Sequence, residues 1–174
     1  MKNSRGFTLI ETIVAISILS VGIIIIYGVF YNMYIEASSR NHSLKATYLA
    51  QEGVEVVRNM RDNNWISQAG DWKQGIDSGN CNDGCYFEAD YKTGVGAGLS
   101  PNVGRLLNVD GQGIYSYDES GDNAPTIFKR KITITGSNDL FGSSDVFRVD
   151  STVSWQNSGK EFLINIVEFL YNWY

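Results

Sequence analysis

One histidine, two cysteines and two prolines in 174 residues leave this chain few of the groups from which reactive centres are built. His42 is the only imidazole, so a Ser–His–Asp arrangement would have to use it. It stands alone on a polar stretch close to the apolar N-terminal segment. Zinc takes four ligands as a rule, yet Cys81 and Cys85 are the only thiols, and His42 is far from them in sequence. Beyond residue 5 no run of Lys or Arg is longer than Lys129-Arg130-Lys131. That falls short of the basic footprint a nucleic-acid backbone requires, so no direct nucleic-acid binding is expected. No internal repeat is evident. These absences leave no catalytic residue, no metal set and no cofactor to name, and an enzyme is not expected.

Charge is also missing from one long stretch. Between Phe7 and Phe30 the single acidic residue is Glu11, near the start, and there is no Pro. The chain is 43% hydrophobic, and much of that content lies in residues 7–35. As a helix, residues 7–30 would rise about 36 Å at 1.5 Å per residue, enough for a hydrocarbon core of roughly 30 Å. Lys2 and Arg5 precede this segment, and the positive-inside rule puts that end in the cytoplasm. A secretory signal has a shorter apolar region that ends in a small-residue cleavage site. Here the plausible cut lies before the apolar segment, so the mature chain would keep its membrane helix. The net charge is −5; without Lys2 and Arg5, twelve basic side chains face 19 acidic ones, for −7. That balance suits a soluble exported face.

The run Gly6-Phe7-Thr8-Leu9-Ile10-Glu11, behind a short basic head, resembles the processing and assembly signal of type IV prepilins and pseudopilins. The match covers roughly the first 30 residues closely and the following helix more loosely. The resemblance implies a leader of residues 1–6, cut between Gly6 and Phe7 by prepilin peptidase, and N-methylation of Phe7. It implies that Glu11 pairs with the N-terminal amine of a neighbouring subunit. An ionised carboxylate within a membrane segment is expensive and needs such a partner. Residues 7–34 would form the membrane and filament-core half of a helix. Residues 35–174 would form an exported domain. The implied partners are other pilin subunits in a homo- or hetero-filament, the peptidase, the pilus assembly platform, and the membrane before assembly. The implied location is the cytoplasmic membrane, single-pass with the C-terminus outside, and then an extracellular filament. The ending, Val153-Ser154-Trp155 with a turn and then Tyr171-Asn172-Trp173, resembles certain minor pilins and pseudopilins more than common major pilins. The alternative is a membrane-anchored surface binding or adhesion module that does not polymerise.

Gly22 and Gly28 lie inside the apolar helix, where each costs roughly 1 kcal/mol relative to Ala. One reading is close helix packing, because small residues let backbones approach in membranes. The other is a weak point where the helix stretches or melts in a filament. Many pilins have a Pro near the place of Gly28, which this chain lacks. Further on, Ala46, Leu49, Ala50, Gly53, Val54 and Val57 follow the spacing of one helical face, so the helix is expected to continue to about Arg61. Its amphipathic half needs a globular partner. Residues 62–84 read as irregular, and 93–104 as Gly-rich turns. Strands are expected over 85–91, 114–117, 127–135, 146–156 and 160–170, with Asn157-Ser158-Gly159 as a hairpin signal. Ile132 and Ile134, Val149 and Val153, and Phe162, Ile164 and Ile166 mark their apolar faces. The expected fold class is α+β: a long N-terminal helix packed on a C-terminal antiparallel sheet, which agrees with the pilin fold.

Cys81 and Cys85 enclose a short loop in the exported part. There an isolated pair is most simply a disulfide, stabilising by about 2 kcal/mol in the chain-entropy model. A metal pair is the other reading. Oxygen-rich turns at Asp110 with Gln112, and at Asp118, Glu119 and Asp122, suit calcium as a hard ion. The 118–122 turn lacks EF-hand spacing, and these groups read as solvated turns before a calcium site. Trp65, Trp72, Trp155 and Trp173 read as core and sheet-face residues before a carbohydrate site.

Overall fold

The structure, a computed structural model, describes residues 6, 8–67, 71–76, 85–93, 98–136, 146–157 and 159–172. It has one long N-terminal helix and a C-terminal antiparallel sheet, the α+β order expected above. By contacts the chain divides into two compact units, Met1–His42 and Ser43–Tyr174.

The helix α1 runs over Leu9–Ile66. Its part in the first unit is exposed and apolar on all sides, from Leu9 to Ile35. The helix contains a segment long and apolar enough to cross a membrane. It passes through Gly22 and Gly28 without a break. Beyond Ser43 the burial becomes one-sided. Ala46, Leu49, Ala50, Gly53, Val54, Val57, Met60 and Arg61 are buried, which is the expected stripe extended by one turn. The helix also runs past Asp62-Asn63-Asn64, where the apolar pattern fades. Tertiary contacts carry it on. The Asn64 amide donates to the Trp72 and Gln74 carbonyls at 3.0 and 2.8 Å, Trp65 packs on Trp72, and Ser67 Oγ donates to the Asn63 carbonyl at 2.7 Å.

Five strands form the main sheet: β1 (Cys85–Glu88), β2 (Ser100–Pro101), β6 (Phe128–Gly136), β7 (Val146–Asn157) and β8 (Lys160–Tyr171). Their order is β2-β1-β6-β7-β8, all antiparallel. Three two-residue strands, β3 (Asn108–Val109), β4 (Tyr115–Ser116) and β5 (Ala124–Pro125), make a small second sheet ordered β4-β3-β5. The first strand is shorter than expected, ending at Glu88. Beyond it Asp90 turns the chain, accepting the Lys92 N–H at 3.0 Å. Asn157 pairs with Lys160 across a two-residue connection, and Gly159 there has φ 76°, a conformation glycine adopts without steric cost.

Alternation on β6 and β7 points one face of the sheet at the helix stripe. One apolar cluster joins Val57 and Met60 to Trp72, Ile76, Phe87, Ile132, Ile134, Phe147, Val149 and Leu170. A second joins Ala46, Leu49 and Ala50 to Leu107, Tyr117, Phe128, Val153 and Trp155. On β8, Ile164, Ile166 and Leu170 share the inward face. Phe162 is partly exposed, with its ring stacked on Trp155 at 5.6 Å.

Arg130 is the surprise of the core. Its place in the β6 alternation puts it on the buried face between Phe128 and Ile132, and it is 1% exposed. Its guanidinium donates to the Leu49 carbonyl of α1 at 2.9 Å and to the Ala89 carbonyl. Glu52 lies 3.4 Å away. Gly53 makes this approach possible: a Cβ there would stand 2.5 Å from Ser151 Oγ and 3.0 Å from Arg130 Cδ. Replacing Gly53 by Ala therefore sets a helix-propensity gain of about 1 kcal/mol against overpacking of roughly 1–3 kcal/mol. We expect Gly53→Ala to lower the melting temperature of the full chain in detergent. Gly22→Ala, which meets nothing within 4 Å, should not lower it. A stabilised Gly53→Ala protein would show that the helix and sheet have room to separate.

Candidate functional site

The N-terminal segment is where sequence chemistry and exposed structure coincide. Gly6 lies outside the helix and is exposed, with nothing within 4 Å of where a Cβ would stand. Thr8 precedes the first helical residue and acts as its N-cap, its hydroxyl accepting the Glu11 N–H at 3.4 Å. The Thr8 carbonyl accepts the Thr12 N–H at 3.2 Å. Thr8-x-x-Glu11 has the spacing of a capping box, a signal readable in the sequence. Glu11 thus stands in the first turn, where the positive end of the helix dipole favours an anion. It is exposed.

Other polar side chains of this unit turn back on their own backbone. Thr12 Oγ1 donates to the Leu9 carbonyl at 2.8 Å, Ser17 Oγ to Ile13 at 2.8 Å, and Ser20 Oγ to Ser17 at 2.9 Å. The Asn32 amide donates to the Gly28 carbonyl at 2.9 Å. Internal satisfaction of this kind lets polar residues sit in lipid. Among the described residues, none supplies the Glu11 carboxylate with an ion pair.

Not every expected site residue falls within the described part. Phe7 and Cys81 lie outside it, as do Lys2, Arg5 and Trp173. Cys85, at the start of β1, is disulfide-bonded and not a free thiol. Gly22 and Gly28 face open space, with no contact within 4 Å of a built Cβ.

The acidic turns are engaged as turn caps. Asp110 Oδ1 accepts the N–H groups of Gln112 and Ile114 at 2.8 and 2.9 Å. Asp118 pairs with Lys92 Nζ at 2.7 Å and accepts from Ser120. The Lys92 ammonium and the Ser120 donors hold its carboxyl well below the usual range. Trp72 and Trp155 are buried in the two core clusters.

A buried carboxylate, Glu88, has no signal in the sequence. Glu88, 1% exposed, accepts from the Val103 and Arg105 N–H groups at 3.1 and 3.0 Å and from Arg105 Nε at 2.7 Å. Burial pushes its carboxyl up. The Arg105 N–H and guanidinium, with the Val103 N–H, outweigh that and hold it below its ordinary 4.5.

Residues 1–27 match the family model of the prokaryotic N-terminal methylation motif, the type IV pilin and pseudopilin signal. No curated protein and no solved structure matches the chain. The motif and the long apolar helix together point to a type IV pilin-like subunit, and so to a structural part before an enzyme.

The lowered Glu88 carboxyl has a signed consequence. A group whose pKa falls on folding contributes stability above its unfolded value and loses it as pH drops through the folded one. We expect the C-terminal unit to weaken on acidification below about pH 4.5. Glu88→Gln should cost about 1–3 kcal/mol at neutral pH and flatten that acid limb. Thermal melts of both proteins across pH would check it, and parallel acid limbs would contradict it.

Proposed function

We propose that this chain is a structural subunit of a type IV pilus-like filament, made as a membrane-anchored precursor. The observation that carries the reading is one coincidence. Within residues 1–27, which match the methylation motif, Gly6 is exposed and non-helical, and a helix with Glu11 in its first turn begins at Leu9.

Prepilin peptidase cuts between Gly6 and Phe7, where an exposed, side-chain-free position admits a protease. The cut creates an ammonium on Phe7, and N-methylation keeps its positive charge. That amine then pairs with Glu11 of a neighbouring subunit. A paired buried charge costs far less than a lone one, and one axial offset brings the two groups together. Before assembly the helix of the first unit is held in the cytoplasmic membrane, with residues 35–174 exported. On the assembly platform it exchanges lipid for the helices of other subunits. Gly22 and Gly28, open in the single chain, are the positions where neighbouring helices approach or where the helix yields. In the exported loop Cys81 and Cys85 form the disulfide.

Intact mass of the exported chain tests the processing steps together. The expected species starts at Phe7, carries one added methyl group, and is two hydrogens lighter for the Cys81–Cys85 bond. A chain that keeps residues 1–6, or lacks the apolar helix, would contradict the assignment.

Assembly is tested by Glu11→Gln expressed as the sole copy. Loss of one partner from a buried pair costs about 3–5 kcal/mol, repeated at every subunit contact. The variant should reach the membrane fraction normally and be nearly absent from sheared filaments. Normal amounts in filaments would favour a simple anchored binding module.

A further inference from the structure

At the C-terminal end of the apolar run, the first unit carries an aromatic stripe. Tyr27, Tyr31 and Tyr34 follow i, i+4, i+7 spacing, which places them on one helical face. They are 71%, 56% and 75% exposed, and the Tyr27 and Tyr31 rings stack at 6.4 Å with planes 16° apart. On the N-terminal side lie Ile23, Ile24, Ile25 and Ile26. On the C-terminal side come the first charged residues of the helix after Glu11, Glu36 and Arg40, ion-paired at 2.6 Å. The stripe therefore sits at the step from apolar to charged surface. Tyrosine has an apolar body and a polar tip and collects at the headgroup level of bilayers.

Spacing gives the stripe a second meaning. Tyr27 and Tyr34 are 16 and 23 residues from Glu11 on one unbroken helix. At 1.5 Å per residue that is about 24 to 35 Å, which brackets the roughly 30 Å of a hydrocarbon core.

We propose that Tyr27, Tyr31 and Tyr34 dock in the headgroup layer of the outer leaflet and thereby fix the depth of Glu11 at the opposite, cytoplasmic headgroup layer. This rests on the membrane-anchored precursor proposed above and adds its register. The occupant of the stripe is the lipid interface. Continuity with the apolar segment and the ion pair just beyond argue for it. Glu11 then waits hydrated at the inner surface, its helix turn already capped by Thr8. It enters an apolar setting only when a neighbour supplies a cation. The cost of burying that carboxylate falls at assembly and not at insertion.

Depth-dependent quenching of fluorescence tests the register. The full chain and its Ile10→Trp, Val21→Trp and Tyr31→Trp variants are reconstituted in phosphatidylcholine and phosphatidylglycerol vesicles. The lipids carry bromine either just below the headgroups or near the acyl-chain ends, and the parent chain supplies the baseline for the native tryptophans. Added emission at residues 10 and 31 should be quenched about twofold or more better by the shallow bromines, and at residue 21 by the deep ones. Deep quenching at 10 or 31, or none at 31 while 21 is quenched, overturns the register and leaves the membrane span standing. No quenching at residue 21 by either lipid overturns the span itself and the register with it.

Discussion

A guanidinium held out of water must find acceptors for its N–H groups, and the two terminal nitrogens of Arg130 find them on separate segments of the C-terminal unit, while its Nε has no partner among the described residues. Leu49 on α1 lies 81 positions away in sequence and Ala89 beyond β1 lies 41 away. The backbone of Arg130 is held as well: its carbonyl accepts the Tyr117 hydroxyl at 3.0 Å and the Asn102 amide at 3.4 Å. Helix, first strand, central strand and the 102–117 segment therefore meet at one residue. Apolar burial supplies the drive to collapse, but it is non-directional. The Arg130 bonds select one axial position of α1 on the sheet, and Gly53 is the vacancy that lets the side chain reach it.

Around that point the unit is fastened by carboxylates with full sets of donors. Glu88 gathers three donors from residues 103 and 105. Asp90 accepts the Tyr117 N–H at 3.0 Å, and burial pushes the Tyr117 phenol up to about 12. At the sheet edge Arg58 of α1 grips Glu168 of β8 through both carboxylate oxygens. Buried polar groups carry a penalty unless satisfied. Here satisfaction ties irregular loops to regular elements, giving order to a region with few strands of any length.

One helix serves two environments because its sequence changes character along its length. In the first unit apolar side chains surround it, and its hydroxyls are spent on its own carbonyls, so lipid or other apolar helices are its natural solvent. In the second unit only one stripe is apolar, and the sheet covers it. Glu11 is the exception within the apolar run: a carboxyl side chain near its head, in a turn capped by Thr8.

Much of this was legible from local pattern alone. The methylation motif over residues 1–27 announces itself in its opening run, the 46–57 stripe by helical period, and β6, β7 and β8 by alternation, because each signal lies within a short run of chain. The period-two pattern of β6 even pointed to Arg130, but a charged residue at a buried position is improbable until its acceptors are known. Those acceptors lie tens of residues away, so only tertiary structure decided the burial of Arg130 and Glu88. The same reason hid β2, β3 and β5. Two of them contain the proline of the pair Pro101 and Pro125, and each exists only through the strand beside it. It also carried α1 on to Ile66, where bonds to Trp72 and Gln74 outweigh a weak local pattern. Covalent neighbours set what each segment prefers; which preference prevails depends on the distant groups that folding brings within hydrogen-bonding reach.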